Sequence, residues 1–355
     1  STRHWLDGLK LRASYGVIGN QNINPYTFTP SMSVNNKATS WIIDDTYVTS
    51  ISSLPALVSQ NFTWEKVGTI NVGLDVNLFN NRLSGVFEWY QRNTNGMLAP
   101  GVQLPAVVGA SAPYQNTADM RTRGWELSLN WRDQIGKVGY RIGFNLSDYK
   151  SEIIKYDDNA ATKLLSSYYP GQTLGEIWGY IVDGYYTVDD FVDTSSWQLK
   201  EGVTSINGYN VRPGDVKFKN LRDDDTSTNV ITSGDNTFDN PGDRKVIGNT
   251  TPRYQYGINL GMNYAGFDLN VILQGTGKRD YWISNVLTFP MNGDNFVPLF
   301  EGLSDYWMPK DPDNGDWSAV NPNAKYPRIY GNRGNSGSNL RQSDKYQIGR
   351  ASCRE

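Results

Sequence analysis

Long runs of alternating apolar and polar residues, of a length that can cross a bilayer, constrain this chain more than any other feature. From Thr69 to Phe79, Ile70, Val72, Leu74, Val76 and Leu78 share one parity, and Asn71, Gly73, Asp75 and Asn77 share the other. Successive side chains of a strand point to opposite faces, so such a run has one apolar and one polar face. From Arg82 the pattern resumes with Leu83, Gly85, Phe87 and Trp89, after Asn80-Asn81, a pair that tolerates positive φ and reads as a hairpin turn. It recurs in Trp125, Leu127, Leu129 and Trp131, and in Tyr140, Ile142, Phe144 and Leu146. Tyr254 to Tyr264 and Phe267 to Leu273 repeat it, and a first strand is predicted near Leu9 to Tyr15.

A soluble sheet and an outer-membrane barrel both alternate in this way. Strands of soluble sheets average about five or six residues, whereas a membrane crossing takes roughly 9–11. The runs here reach the longer figure. Aromatic residues bracket several of them, as Trp125 with Trp131 and Tyr254 with Tyr264, and this suits two membrane interfaces. The connections decide between the two readings. Asn80-Asn81, Asp133 to Lys137 and Ala265-Gly266 are tight, whereas 16–63, 94–118, 150–252 and 276–345 are long and polar. Short turns at one end and long loops at the other describe an outer-membrane barrel, and loops so long count against a compact soluble domain. The predicted class is therefore all-β: an incomplete transmembrane antiparallel β-barrel with long extracellular loops.

Composition narrows the function classes. The 355 residues include 22 Tyr, 11 Trp and 12 Phe beside 35 Gly, a mixture that fits aromatic girdles on a half-polar sheet. A net charge of -3 carries no basic excess of the kind a nucleic-acid interface requires. There is one cysteine, Cys353, and one histidine, His4, so neither an internal disulfide nor a Cys/His metal site is available. His4 reads as a surface residue, and no nucleophile–base pair presents itself. Asp157-Asp158 and Asp189-Asp190 read as solvated loop acids, and the N-x-S/T triplets at Asn61, Asn145 and Asn249 as chance matches. No catalytic residue, cofactor or metal is expected.

Several phrases resemble the C-terminal half of SusC-like (SusC/RagA) TonB-dependent transporters. They are LKLRASYGVIGNQ from Leu9, WEKVGTINVGLD from Trp64, GWELSLN from Gly124 and PGQTLGEIWGYIVDGYY from Pro170. RPGDVKFKN from Arg212, GDRKVIGN from Gly242, DYWMP from Asp305 and NPNAKYPR from Asn321 follow in family order. The resemblance implies a barrel of about 22 strands around an N-terminal plug, in the Gram-negative outer membrane. It also implies energy from the TonB–ExbB–ExbD complex and a SusD-like lipoprotein lid that captures an oligosaccharide or peptide. On this reading residues 1–347 belong to the barrel domain, with plug, signal peptide and last strands lying outside the chain. Residues 348–355 depart from the family and resemble a translated sequencing adapter, which would make Cys353 non-native; native DNA encoding those residues would refute this.

Trp178, Tyr180, Tyr185 and Tyr186 form the candidate cluster for ligand or lid contact, since aromatic faces stack on sugars and phenols hydrogen-bond. Packing the loop is the competing duty, and the commoner one for aromatic residues. Arg212 and Asp215 are expected to form a loop ion pair around a Pro213-Gly214 turn. The stretch after RPGD, with Asp223 to Asp225, lacks the Gly and the spaced oxygens of a calcium loop and reads as a solvated acidic segment. The function expected is TonB-dependent import of an oligomeric nutrient. A passive pore or adhesin on the same barrel, and a soluble glycan-binding β-sheet protein, are the alternatives.

Overall fold

The structure, a computed structural model, describes residues 5–20, 63–159, 161–165, 168–222, 229–283, 300–330 and 338–348, with short pieces at 29–30, 32, 34–35, 42–43, 46–47, 51–52, 55 and 57–59. His4, Asn61, Asp223 to Asp225 and Cys353 lie outside the described residues. The chain forms two compact units, one of Ser1–Thr162, Ser167–Leu174 and Arg253–Thr276, the other of Lys163–Ser166, Gly175–Pro252 and Gly277–Glu355. The first is a barrel wall and the second a loop unit.

Among the described residues seven strands build the wall: β1 (Leu6–Asn20), β2 (Glu65–Leu78), β3 (Leu83–Pro100), β4 (Tyr114–Ile135), β5 (Val138–Tyr156), β6 (Arg253–Tyr264) and β7 (Phe267–Lys278). They lie side by side in chain order in one open sheet. The pairings from β1 to β6 are antiparallel throughout. Every run of alternation noted above is a strand, but β3 to β5 are longer than the alternation alone indicates. At 18, 22 and 19 residues they exceed the roughly 9–11 needed for a crossing, so part of each stands clear of the apolar band. The connection expected over 94–118 shrinks to 101–113, because residues outside the alternating pattern continue the ladder of β3 and β4.

Residues directly opposite each other in a ladder share a face, so the register shows what each face carries. One row runs Leu11, Leu74, Phe87, Leu127, Leu146 and Tyr256 across β1 to β6. The neighbouring row runs Leu9, Val76, Gly85, Leu129, Phe144 and Ile258. Among the described residues of the wall nothing covers this face: Leu11 is 74% exposed and Phe267 80%. Leaving a large apolar side chain in water forfeits about 1.5–3 kcal/mol, a cost that vanishes against lipid. Indoles mark the borders of the band. Trp89 and Trp125 are partners in one row and Trp131 closes the other end of β4, roughly 20 Å away along the strand. Trp131 donates to the Tyr140 hydroxyl at 3.3 Å and packs on Phe79 with ring centroids 6.3 Å apart.

The opposite face is polar, and its long side chains lie along the wall. Arg12 crosses the bare backbone of Gly73 to reach Asp75 at 2.8 Å and Glu88 at 2.6 Å. Tyr90 lies over Gly124, where an added Cβ would come within 2.6 Å of the ring. Arg141 lies over Gly261 in the same way, and Asn263 over Gly139. The inward glycines thus act as recesses for neighbouring polar chains.

Three turns sit at one end of the sheet. Between β2 and β3 the turn is wider than the Asn80-Asn81 pair: Phe79, Asn80 and Asn81 all take positive φ, near 58°. Gly136 (φ 60°) and Lys137 join β4 to β5, more tightly than the span Asp133 to Lys137, because the ladder extends to Ile135 and Val138. Ala265 (φ 50°) and Gly266 (φ 88°) join β6 to β7. Long connections leave from the other strand ends. Among the described residues no helix is long and apolar enough to cross a membrane.

Candidate functional site

The aromatic cluster lies in the loop unit, which is assembled from very short ladders. Glu176–Gly179 pairs with Lys245–Asn249, Val182–Tyr185 with Val216–Phe218, and Ser205–Ile206, in parallel, with Val230–Ile231. Such short ladders hold only because a core fills the space between them: Tyr180, Tyr186, Phe191, Ile206, Val211, Val216, Phe218 and Ile231 are buried together. A stretch that reads as loop therefore has its own hydrophobic centre.

Three of the four candidate aromatics belong to buried packing. Tyr186 is fully buried, donates its hydroxyl to the Thr204 carbonyl at 2.6 Å, and packs on Phe191. Tyr180 is buried against Phe218, with ring centroids 5.3 Å apart, and the Arg341 guanidinium lies over it. Trp178 is buried and meets Phe238 edge-on. Tyr185 alone remains half-buried; its hydroxyl donates to the carbonyls of Ala324 and Lys325, each at 3.1 Å. Lys345 stands over its ring at 4.5 Å, and burial pulls the ammonium of that lysine below its usual pKa. The structure does not gather the four rings around an open cleft: alternate positions of a short strand pair are being spent on the core.

The RPGD phrase gives the unit its hub. Pro213-Gly214 makes the expected turn, with Gly214 at φ 88° and the Trp307 indole packed where a Cβ would stand. Asp215 is fully buried, and the expected ion pair with Arg212 does not form. Its carboxylate instead accepts the Arg212 backbone N–H at 2.8 Å, the Asn339 amide at 3.0 Å and the Tyr330 hydroxyl, with the Arg328 Nε at 3.8 Å. The Arg212 guanidinium lies over Trp197. Asn339 in turn accepts the Val216 N–H at 2.8 Å. One carboxylate thus ties the 212–218 segment to 328–330 and 338–339. Burial raises its pKa, against the opposing pull of Arg328.

The other phrases have similar duties. Asp243 of GDRKVIGN is buried and accepts the N–H groups of Leu221 at 2.9 Å and Thr232 at 2.7 Å. DYWMP and NPNAKYPR close on each other: Asn321 accepts from Met308 N–H at 3.0 Å, and Trp307 N–H donates to the Tyr326 carbonyl at 2.9 Å. Sequence reading missed one feature, the pair Trp197 and Trp317, which meet edge-on at 5.0 Å with Trp197 at φ 57°. Neither sits in a periodic run, so no local signal joins them. Among the described residues no group of three or more potential metal ligands converges.

An antiparallel meander with an uncovered apolar face, tight turns at one end and long folded connections at the other is a section of a large-looped transmembrane β-barrel. The chain belongs to the TonB-dependent receptor-like β-barrel family, whose model, described as "TonB dependent receptor-like, beta-barrel", matches residues 4–307. It is 29% identical to TonB-dependent receptor P3 of Formosa agariphila over 75% of this chain and 25% of that protein. It is 32% identical to TonB-dependent receptor SusC of Bacteroides thetaiotaomicron over 42% of this chain and 15% of that protein. The fold matches the RagAB peptide importer in its closed-closed state with a TM-score of 0.63 and 24% identity, covering 89% of this chain and 32% of that one. The chain therefore spans between about a seventh and a third of the length of these relatives. The family consists of transporters, not enzymes, and the SusC-like resemblance of the phrases agrees with it.

Proposed function

We propose that the protein to which this chain belongs imports an oligomeric nutrient, a glycan or a peptide, across the Gram-negative outer membrane. A SusD-like surface lipoprotein delivers the cargo, and the TonB–ExbB–ExbD complex supplies the energy. The observation that carries the reading is the uncovered apolar band of rows from Leu11 to Tyr256, backed by a polar wall and bounded by indoles. Lipid makes such a face stable, and membership of the TonB-dependent family turns a lipid-embedded wall into part of a transporter. SusC among the relatives and the RagAB peptide importer among the structures support partnership with a lipoprotein lid and an oligomeric cargo. Tyr185 is the member of the aromatic four that stays half-exposed, and it is the one we assign to lid or cargo contact.

Uptake of fluorescent oligosaccharides and oligopeptides by cells carrying the full gene and its lid partner tests the reading. Accumulation of one class that stops when TonB is removed is the expected result. Uptake that survives loss of TonB would establish a passive pore instead.

A further inference from the structure

The inner face of the wall carries an electrostatic conflict near the tight-turn end. Arg132 on β4 and Arg141 on β5 are directly opposite each other in the ladder. Such partners have Cβ atoms about 5 Å apart, and like charges there are destabilising. Both guanidiniums are oriented by neutral acceptors. Arg132 donates to the Asn81 carbonyl at 3.3 Å, and Arg141, lying over Gly261, donates to the Asn270 side chain. Among the described residues no carboxylate comes within 4 Å of either one. Their neighbour Arg82 is already neutralised by Asp133 at 3.1 Å. Arg132 and Arg141 line a concavity of about 730 Å³ together with Asn77, Ser84, Asn130 and Asn259. Both also border an adjoining hollow of about 640 Å³, whose wall includes Asp268 and Asn270.

We infer that Arg132 and Arg141 form a carboxylate-binding site on the inner face of the wall. Two planar guanidiniums already held in place match a carboxylate with paired N–H···O bonds, and the ring of amides supplies further donors. Pre-orientation by Gly261, Asn81 and Asn270 lowers the ordering cost of binding. The carboxylate has two possible sources: a small free acid in the lumen, or an acidic side chain of polypeptide lodged there. The inference stands whether the transporter carries a glycan or a peptide.

The test uses the full-length transporter in detergent, with the mobility shift on heating as the check that the barrel is folded. A free acid predicts that succinate binds calorimetrically at low salt, and about tenfold more weakly to Arg141→Gln and to Arg132→Gln. A polypeptide carboxylate predicts no succinate binding to the wild type, and proteolysis of lumenal polypeptide about tenfold faster in the double Gln variant. Arg132→Lys and Arg141→Lys keep the charge and the fold but lose the fork, and should show the same change in reduced degree. Either pattern upholds the site. Succinate binding that is unchanged in every variant overturns it, as does absence of succinate binding with equal proteolysis throughout.

Discussion

In the wall, Leu11, Leu269 and Phe267 stand more than half exposed, while inward positions hold Arg12, Glu88 and Asn130. In the loop unit the order is reversed: Tyr186, Phe218 and Ile231 are fully buried, and Asp193, Ser195 and Ser196 lie at the surface. The same residue types thus face opposite ways within one chain, because one unit is solvated by lipid and the other by water. A second contrast follows. The wall satisfies its backbone by ladders, so its side chains are free to be lipid anchors or flat-lying polar struts. The loop unit has almost no ladder, and buried carboxylates such as Asp215 and Asp243 take over the satisfaction of backbone N–H groups.

If that contrast is right, the largest effect in the molecule comes from Asp215→Ala. Removing one member of a buried charge network leaves Arg328, Tyr330 and Asn339 with lost partners, a loss of about 3–5 kcal/mol. Limited proteolysis should cut the loop unit rapidly while the barrel keeps its heat-dependent gel shift. Equal loss of both would show that the units unfold together. Next in size is Leu74→Arg on the lipid face, expected to cost about 2–4 kcal/mol of membrane-embedded stability, measured by urea unfolding in lipid bilayers. Asn71→Arg, three residues away but facing inward, should cost well under half as much. Equal costs would mean that the two faces do not differ in solvent.

The wall was legible in the sequence because a period-two pattern carries its own geometry: Val72 and Leu74 declare their face without knowing their partners. Strand ends were less legible. Beyond Asn93 the residues of β3, Thr94 to Pro100, no longer alternate, so the ladder to Pro100 depends on β4 and not on local pattern. The loop unit was legible only as phrases. Asp215 was singled out, but its partner Arg328 lies 113 residues later in the chain, and no local spacing distinguishes it from Arg212. The four aromatics are a similar case, since Tyr185 and Tyr186 are adjacent yet one meets the carbonyls of Ala324 and Lys325 and the other the core.

A third substitution examines how the wall accommodates its polar struts. Gly124→Ala places a methyl against the Tyr90 ring on the inner face, and the overpacking should cost about 1–3 kcal/mol in bilayer unfolding. Tyr90→Ser clears the recess, so the double variant should recover most of that loss. Additive effects would show that Tyr90 does not depend on the glycine. Gly136→Ala, at φ 60° in a turn with open space around it, pays only for backbone conformation, about 1 kcal/mol.

The smallest effect expected is one of pH, and it contrasts two acids within the loop unit. Burial raises the pKa of Asp215 above the unfolded value, so the folded unit binds this proton more tightly than the unfolded chain does. Its ionisation therefore subtracts stability as pH rises from the unfolded carboxylate pKa, about 3.9, through the raised folded value. Asp193 works the other way. Hydrogen bonds from Ser195 and Ser196 lower it to about 2, so its contribution is present above the unfolded pKa and is lost as pH falls toward 2. The resistance of the loop unit to protease should consequently rise as the medium is acidified from neutrality toward pH 4. Asp215→Asn, which keeps an acceptor but cannot ionise, should flatten that rise, whereas Asp193→Asn should leave it in place. A rise that persists in Asp215→Asn would mean that other groups produce it, whereas a loss of resistance on acidifying the wild type that Asp215→Asn abolishes would mean that the Arg328 ion pair outweighs burial and that the hub is stabilised by its charge.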